Sequence, residues 1–306
     1  MTEPADSSTQ HEALSTLFEG VSSRDFLARF WPHAPLCHDG SPARLGGLVA
    51  SPQMQSILGF IRAHQGSAWL NLRLPNGRFS HETSVASDAA AALFQAGLMM
   101  DLRDVHKWYT PAAQWLQRLV TELKLTFASH AGYCHAFVCP RGSGAPKHFD
   151  NREVIVVQLV GQKRWRIAAN HALPQPLMPH VVGGPIHALN RHVAADLLND
   201  PEMPADSATY TLHPGSVLFL PRGFWHETHA LQDSLSLSFG FRVPTWTEMF
   251  VNTAMAELAR DPAWRAPAYD TTALRPDGIE PFLRAMQSAI EALRATPPPP
   301  ARDAKT

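Results

Sequence analysis

The sequence predicts an α+β protein with a β-sandwich or jelly roll over residues 132–243, set between a helical lead-in and a helical C-terminal region. Two observations point there. Before residue 130 and after residue 244 the apolar residues recur at helical spacing, and between Gly132 and Val243 they gather instead into short β-branched runs broken by Gly/Pro turns. The expected organisation is a disordered start over 1–12, one domain over 13–243 (lead-in 13–130, sheet core 132–243), helices over 244–294 and a disordered tail over 295–306.

Taken in order, Leu14 to Trp31 reads as helix. Ser22 or Ser23 can cap a second helix with Phe26, Leu27, Phe30 and Trp31 on one face, and Pro32 and Pro35 end it. Some strand is expected around Trp69–Leu74, and an Ala-rich helix over 84–98 stops near Gly97. After Pro111, the spacing of Leu116, Leu119, Val120, Leu123 and Phe127 predicts an amphipathic helix. His135–Cys139 reads as a strand. Val154–Val160, the turn at Gly161-Gln162 and Lys163–Ile167 together read as a hairpin. Residues 168–208 are loop-rich, with a helical piece near 192–198, and strands return at Thr209–Leu212, Val217–Leu220 and Leu235–Phe241. Beyond Pro244, Phe250, Ala254 and Leu258 share a helix face. Leu283, Met286, Ile290 and Leu293 follow a packing seam, so a homodimer through 244–294 is expected.

Composition narrows the classes of function. The chain of 306 residues carries 26 Lys plus Arg against 27 Asp plus Glu, a net charge of −1, which argues against broad capture of nucleic acid or anionic membrane. No apolar run is long enough to span a bilayer. Cys37, Cys134 and Cys139 form no CxxC pair, which suits a reducing compartment, and a cytoplasmic location is expected.

The chemistry is expected in Pro146-Lys147-His148-Phe149-Asp150 and Phe224-Trp225-His226. A His and a carboxylate two apart can point the same way from an extended segment, and a later His can close one face of an octahedron. Two imidazoles and one carboxylate leave the opposite face open, the arrangement of non-haem Fe(II) oxygenases. Among sixteen histidines such a spacing also arises by chance. The context supports the metal reading, because the pair precedes a β-branched strand and His226 follows the turn-and-strand unit PGSVLFLPRG, which puts all three at the mouth of an all-β region.

The stretches HFDNREVIVVQLVGQKRWRI, LHPGSVLFLPRGFWHET and SLSLSFGFR resemble the JmjC/cupin-like 2-oxoglutarate oxygenases, within them the ribosomal-oxygenase branch. FLARFWPHAPL and ALFQAG extend the resemblance over roughly residues 14–260. It implies a double-stranded β-helix in which His148, Asp150 and His226 are the iron ligands. Lys163 then falls where these enzymes hold the far carboxylate of 2-oxoglutarate, and Ser238 falls on a position that also contacts the cosubstrate. Read without the family, Lys163 is a solvated turn lysine, and Ser234, Ser236 and Ser238 form either a polar inner wall or a solvent-facing edge.

The implied reaction uses Fe(II), 2-oxoglutarate and O₂, releases succinate and CO₂, and hydroxylates a C–H bond. The resemblance favours a protein side chain, Arg or His of a ribosomal protein, as substrate. A peptide or small-molecule hydroxylase, a metal cupin without redox chemistry and a non-catalytic binding barrel are the alternatives. Two departures stand out: Cys134 occupies the position of a pocket-lining Asn, and Ala136 that of the aromatic two residues later. Residues 261–306 are also expected to be too short for dimerising helices plus a winged helix. The remaining histidines, including His130, His135, His180 and His229, show no ligand-like grouping.

Overall fold

The computed structural model describes residues 12–66, 68–70, 83–125, 132–260, 262–267 and 279–295. The chain divides into two compact units, Met1–Val243 and Pro244–Thr306.

The first unit is built on two antiparallel sheets. Its strands are β1 (Leu36–His38), β2 (Ala68–Leu70), β3 (Thr83–Val85), β4 (Met100–Leu102), β5 (Gly132–Cys139), β6 (His148–Phe149), β7 (Glu153–Val160), β8 (Lys163–Ala168), β9 (His180–Val181), β10 (Ala208–Leu212), β11 (Val217–Leu220), β12 (Trp225–Ala230) and β13 (Ser234–Phe241). The larger sheet runs β1-β11-β7-β13-β5-β4-β2-β3 and the smaller one β10-β8-β12-β6-β9. Four short strands from before residue 132 thus extend the large sheet beyond the expected sheet core.

The β7–β8 hairpin expected from Val154–Ile167 does not form. β7 pairs with β11 and β13, whereas β8 pairs with β10 and β12 in the other sheet. Gly161, at φ +69°, turns the chain so closely past β13 that a Cβ there would overlap the Asp233 carbonyl. A turn signal between two strands marks a reversal, and the nonlocal partners decide which sheet each strand joins.

Alternation explains why β7 and β13 are buried along both faces. Leu235, Leu237, Phe239 and Phe241 of β13 and Ile155, Val157 and Leu159 of β7 face outward onto the N-terminal helices, in one core with Phe18, Phe26, Phe60 and Leu119. Phe26 stacks on Phe18 at 5.0 Å between ring centroids and meets Phe219 edge-on at 5.1 Å. Helices Ser23–Arg29 (capped by Ser22) and Thr110–Glu122 supply this face, the second through Trp115, Leu116 and Leu119. Phe127, expected on the second helix, lies outside the described residues. The Ala-rich helix is shorter than expected, Ser87–Gln95, because residues 83–85 pair with β2.

A second apolar cluster, including Val156, Trp165, Ile167 and Leu218, fills part of the space between the sheets. A third, with Phe149, Leu173, Leu198, Met203 and Trp225, covers the outside of the small sheet. There Lys147 donates to the carbonyls of Asp200 (2.9 Å) and Glu202 (2.5 Å), holding the 168–207 segment against β6.

In the second unit, Trp246–Leu258 opens with a capping box between Thr245 and Glu248 and buries no residue. Pro262–Arg265 and Ile279–Ala295 follow. Trp246, Met249, Phe250, Val251, Met255 and Leu283 are exposed. The side chain of Leu293, the last of the expected seam, lies outside the described residues. No helix among the described residues is long and apolar enough to cross a membrane.

Candidate metal and cosubstrate site

β6 and β12 lie side by side with His148 directly opposite His226, and the ring centroids are 3.9 Å apart. Asp150 follows β6 by one residue, and its Oδ2 is 4.0 Å from His226 Nε2. One ligand atom from each of the three falls within 4.8 Å of the others, and among the described residues no other such group of His, Cys, Asp and Glu exists. A backbone bond from Gly223 N–H to the Asp150 carbonyl (2.9 Å) ties the loop carrying the carboxylate to the turn before His226.

Both rings are oriented from behind. His148 Nδ1 lies 2.7 Å from the Pro146 carbonyl and His226 Nδ1 lies 3.0 Å from the Phe224 carbonyl. A carbonyl can only accept, so each Nδ1 carries a proton, which leaves Nε2 as the nitrogen that would meet a metal. Burial, with His148 as the next contributor, pushes His226 down to about 3 against the opposing pull of Asp150, and at neutral pH its ring is uncharged. Trp165 stacks on it at 5.8 Å. Three donors of this kind, all on one side, fit a divalent cation.

The cavity beside this cluster lies between the sheets. Tyr133, Phe137, Ser236 and Ser238 line it from the large sheet, and Lys163, Trp165 and Thr228 from the small one, together with His148, Asp150 and His226. Lys163 is 4% exposed, which rules out the solvated turn lysine. Its Nζ is 3.3 Å from Cys139 Sγ, near the faces of Trp165 and Phe137, and among the described residues no carboxylate pairs with it. A cation so placed calls for an anion from outside the chain. Ser236 and Ser238 are buried and face the cavity, so the serine face of β13 is an inner wall rather than a wet edge.

The expected departures at Cys134 and Ala136 need correction. Both are fully buried in the core beneath the N-terminal helices, on the far side of β5 from the cavity. The inward set is Tyr133, His135, Phe137 and Cys139, and Phe137 is the pocket-lining aromatic. A one-residue shift in phase sends every side chain of a strand to the other face. Tyr133, Phe137, Trp165 and Thr228 were not singled out from the sequence; the alternation of β5, β8 and β12 was the signal that could have found them.

Residues 111–249 match the sequence profile of the JmjC domain. Over this part the chain is similar to JmjC domains. The chain is 22% identical to the Bacillus subtilis protein YxbC over 94% of this chain and 88% of that one. It is 26% identical to the Escherichia coli ribosomal protein uL16 3-hydroxylase, over 78% of this chain and 57% of the hydroxylase, so it spans little more than half of that relative. Among solved structures, the E. coli ribosomal oxygenase YcfD in complex with cobalt and 2-oxoglutarate superposes with a TM-score of 0.54 at 21% identity, covering 90% of this chain and 68% of the other. The shared architecture is the JmjC/cupin fold, two antiparallel sheets with helical regions at both ends of the chain.

Proposed function

We propose that this protein is an Fe(II)- and 2-oxoglutarate-dependent dioxygenase that hydroxylates a protein side chain. His148, Asp150 and His226 hold the metal, Lys163 pairs with the far carboxylate of 2-oxoglutarate, and Ser238 donates a hydrogen bond to the cosubstrate. The observation that carries this reading is the convergence of two imidazoles and a carboxylate, with ligand atoms within 4.8 Å, beside a buried lysine that lacks an anion among the described residues. YcfD, the structural relative with the same fold, is described as a ribosomal oxygenase in complex with cobalt and 2-oxoglutarate. The similarity to the uL16 3-hydroxylase favours a ribosomal protein as substrate, and the family resemblance an Arg or His side chain on it.

When bound, the iron and 2-oxoglutarate supply the oxidising chemistry with O₂, at the cost of 2-oxoglutarate becoming succinate and CO₂. The chain's own residues orient and enclose. The Pro146 and Phe224 carbonyls keep both imidazole rings facing inward. Lys163 fixes the cosubstrate at the closed end of the cavity, and the apolar wall of Val154, Val156, Trp165 and Leu220 excludes water. A metal cupin without redox chemistry would have no use for Lys163.

Anaerobic titration with Fe(II) and 2-oxoglutarate should give one of each bound per chain, and admission of air should yield succinate. Saturable iron uptake without any 2-oxoglutarate binding would reduce the protein to a metal-binding barrel. The apolar side chains exposed on Trp246–Leu258 support a homodimer through 244–294, which a monomeric mass in solution would end. Three free cysteines suit the reducing cytoplasm.

A further inference from the structure

Two cations bear on the β5 wall of the cavity: Lys163 lines it, and Arg152 holds the lining residue Tyr133 from beside it. Lys163 touches Cys139 at one end of β5, and Arg152 bonds Tyr133 at the other, six residues or roughly 20 Å away along the strand. The Lys163 end is closed. Tyr133 and Arg152 are partly exposed, and the side chain of the cavity-lining Asp150 nearby is 33% exposed, so the cavity opens on this side. Arg152 Nη1 donates to Tyr133 Oη at 3.0 Å, its guanidinium lies 5.5 Å from the centre of that ring, and Nη2 reaches Asn151 Oδ1 at 3.5 Å. Its Nε is shut off from solvent with no hydrogen-bond partner.

The support beneath Arg152 is rigid. The Tyr133 ring lies across Gly240 of β13, where a Cβ would collide with it, and it stacks on His135 at 4.1 Å. The nearby acids are otherwise engaged: Asp101 pairs with Arg103 and Asp104 with Lys107, while Asp150 belongs to the metal cluster. Among the described residues no carboxylate lies within ion-pair distance of Arg152. Both carboxylates of 2-oxoglutarate are already assigned, one to the metal and one to Lys163.

We propose that Arg152, braced on Tyr133, is a specificity-determining residue that takes a carboxylate of the substrate at the mouth of the cavity and turns away cationic side chains. The inference rests on the oxygenase reading and sharpens it, because it selects an acidic target segment over the arginine that similarity alone would favour. A guanidinium with free donors gains a charge-assisted pair from a carboxylate and only repulsion from a second guanidinium.

The test uses the full chain loaded with Mn(II) and 2-oxoglutarate without O₂, and two capped alanine peptides that differ only in a central Asp or Arg. The Asp peptide should bind about tenfold more tightly. Arg152→Gln should erase that difference and Arg152→Glu should reverse it. The inference is overturned by equal affinities, by absence of binding of both peptides, by preference for the Arg peptide, or by a preference that survives either substitution. Uptake of Mn(II) and 2-oxoglutarate is measured on the same wild-type sample. Its absence defeats the oxygenase reading, whereas normal uptake with no peptide preference defeats this inference alone.

Discussion

The small sheet carries the proposed chemistry, with His148 on β6, Lys163 on β8 and His226 on β12 all facing inward, while the outer face of the large sheet carries the main core, with Phe239 and Phe241 packed beneath the N-terminal helices. Among the described residues, the small sheet's outer face is backed by the lesser cluster around Trp225 and Phe149 and by the loop pinned through Lys147. Function and stability thus sit largely on different surfaces, which a fold with two facing sheets permits. β13 belongs to both, since Ser238 and Phe239 are adjacent and point in opposite directions.

That separation can be broken deliberately. The largest effect is expected from His226→Ala, which should abolish iron-dependent succinate formation while leaving the far-ultraviolet circular dichroism native; retained turnover would remove His226 from the metal site. Phe239→Ala should lower the unfolding free energy by about 3–5 kcal/mol in urea titration, because a fully buried aromatic leaves a cavity behind it. Lys163→Ala should raise the 2-oxoglutarate concentration needed for half-maximal succinate formation by about 10–100-fold, the value of a charged hydrogen bond. Ser238→Ala, one residue from Phe239, should cost only about fivefold in the same assay with little change in unfolding.

The smallest effect concerns pH. Burial, aided by Arg103, pushes His135 down to about 4 from its ordinary 6.5, against the pull of Asp104. Between those values the unfolded chain binds a proton that the folded one refuses, so stability falls as pH drops through that window. His135→Gln should make the metal-free protein's melting temperature decline less steeply there; identical slopes would place the loss elsewhere.

Much of the site was legible before any coordinates. His148 and Asp150 are two apart on an extended segment, and His226 follows a Pro/Gly-punctuated strand, so local chemistry announces both halves. The helices bearing Phe26 and Leu119 were equally plain, because a 3.6-residue period is written in contiguous sequence. Strands of three residues such as β1, β3 and β4 are too short to show any period, and they were visible only once paired. The phase of β5 was misread at Cys134 and Ala136 because alternation says which residues share a face, not which face is inward.

Residue types and spacing alone therefore picked out His148, Asp150 and His226 as candidate donors for a divalent metal, the alternation of a helical lead-in with a β-rich centre, and the presence of a lysine beyond Gly161. Tertiary structure decided that β7 and β8 part into different sheets, that Lys163 is enclosed without an anion among the described residues, and that Arg152 bonds Tyr133, which lines the cavity at the other end of β5. The physical reason is the range of the forces involved. Turn chemistry and periodicity act within a few residues, whereas strand partners, burial and the balance of charge around a side chain are set by segments far apart in the chain that meet only on folding.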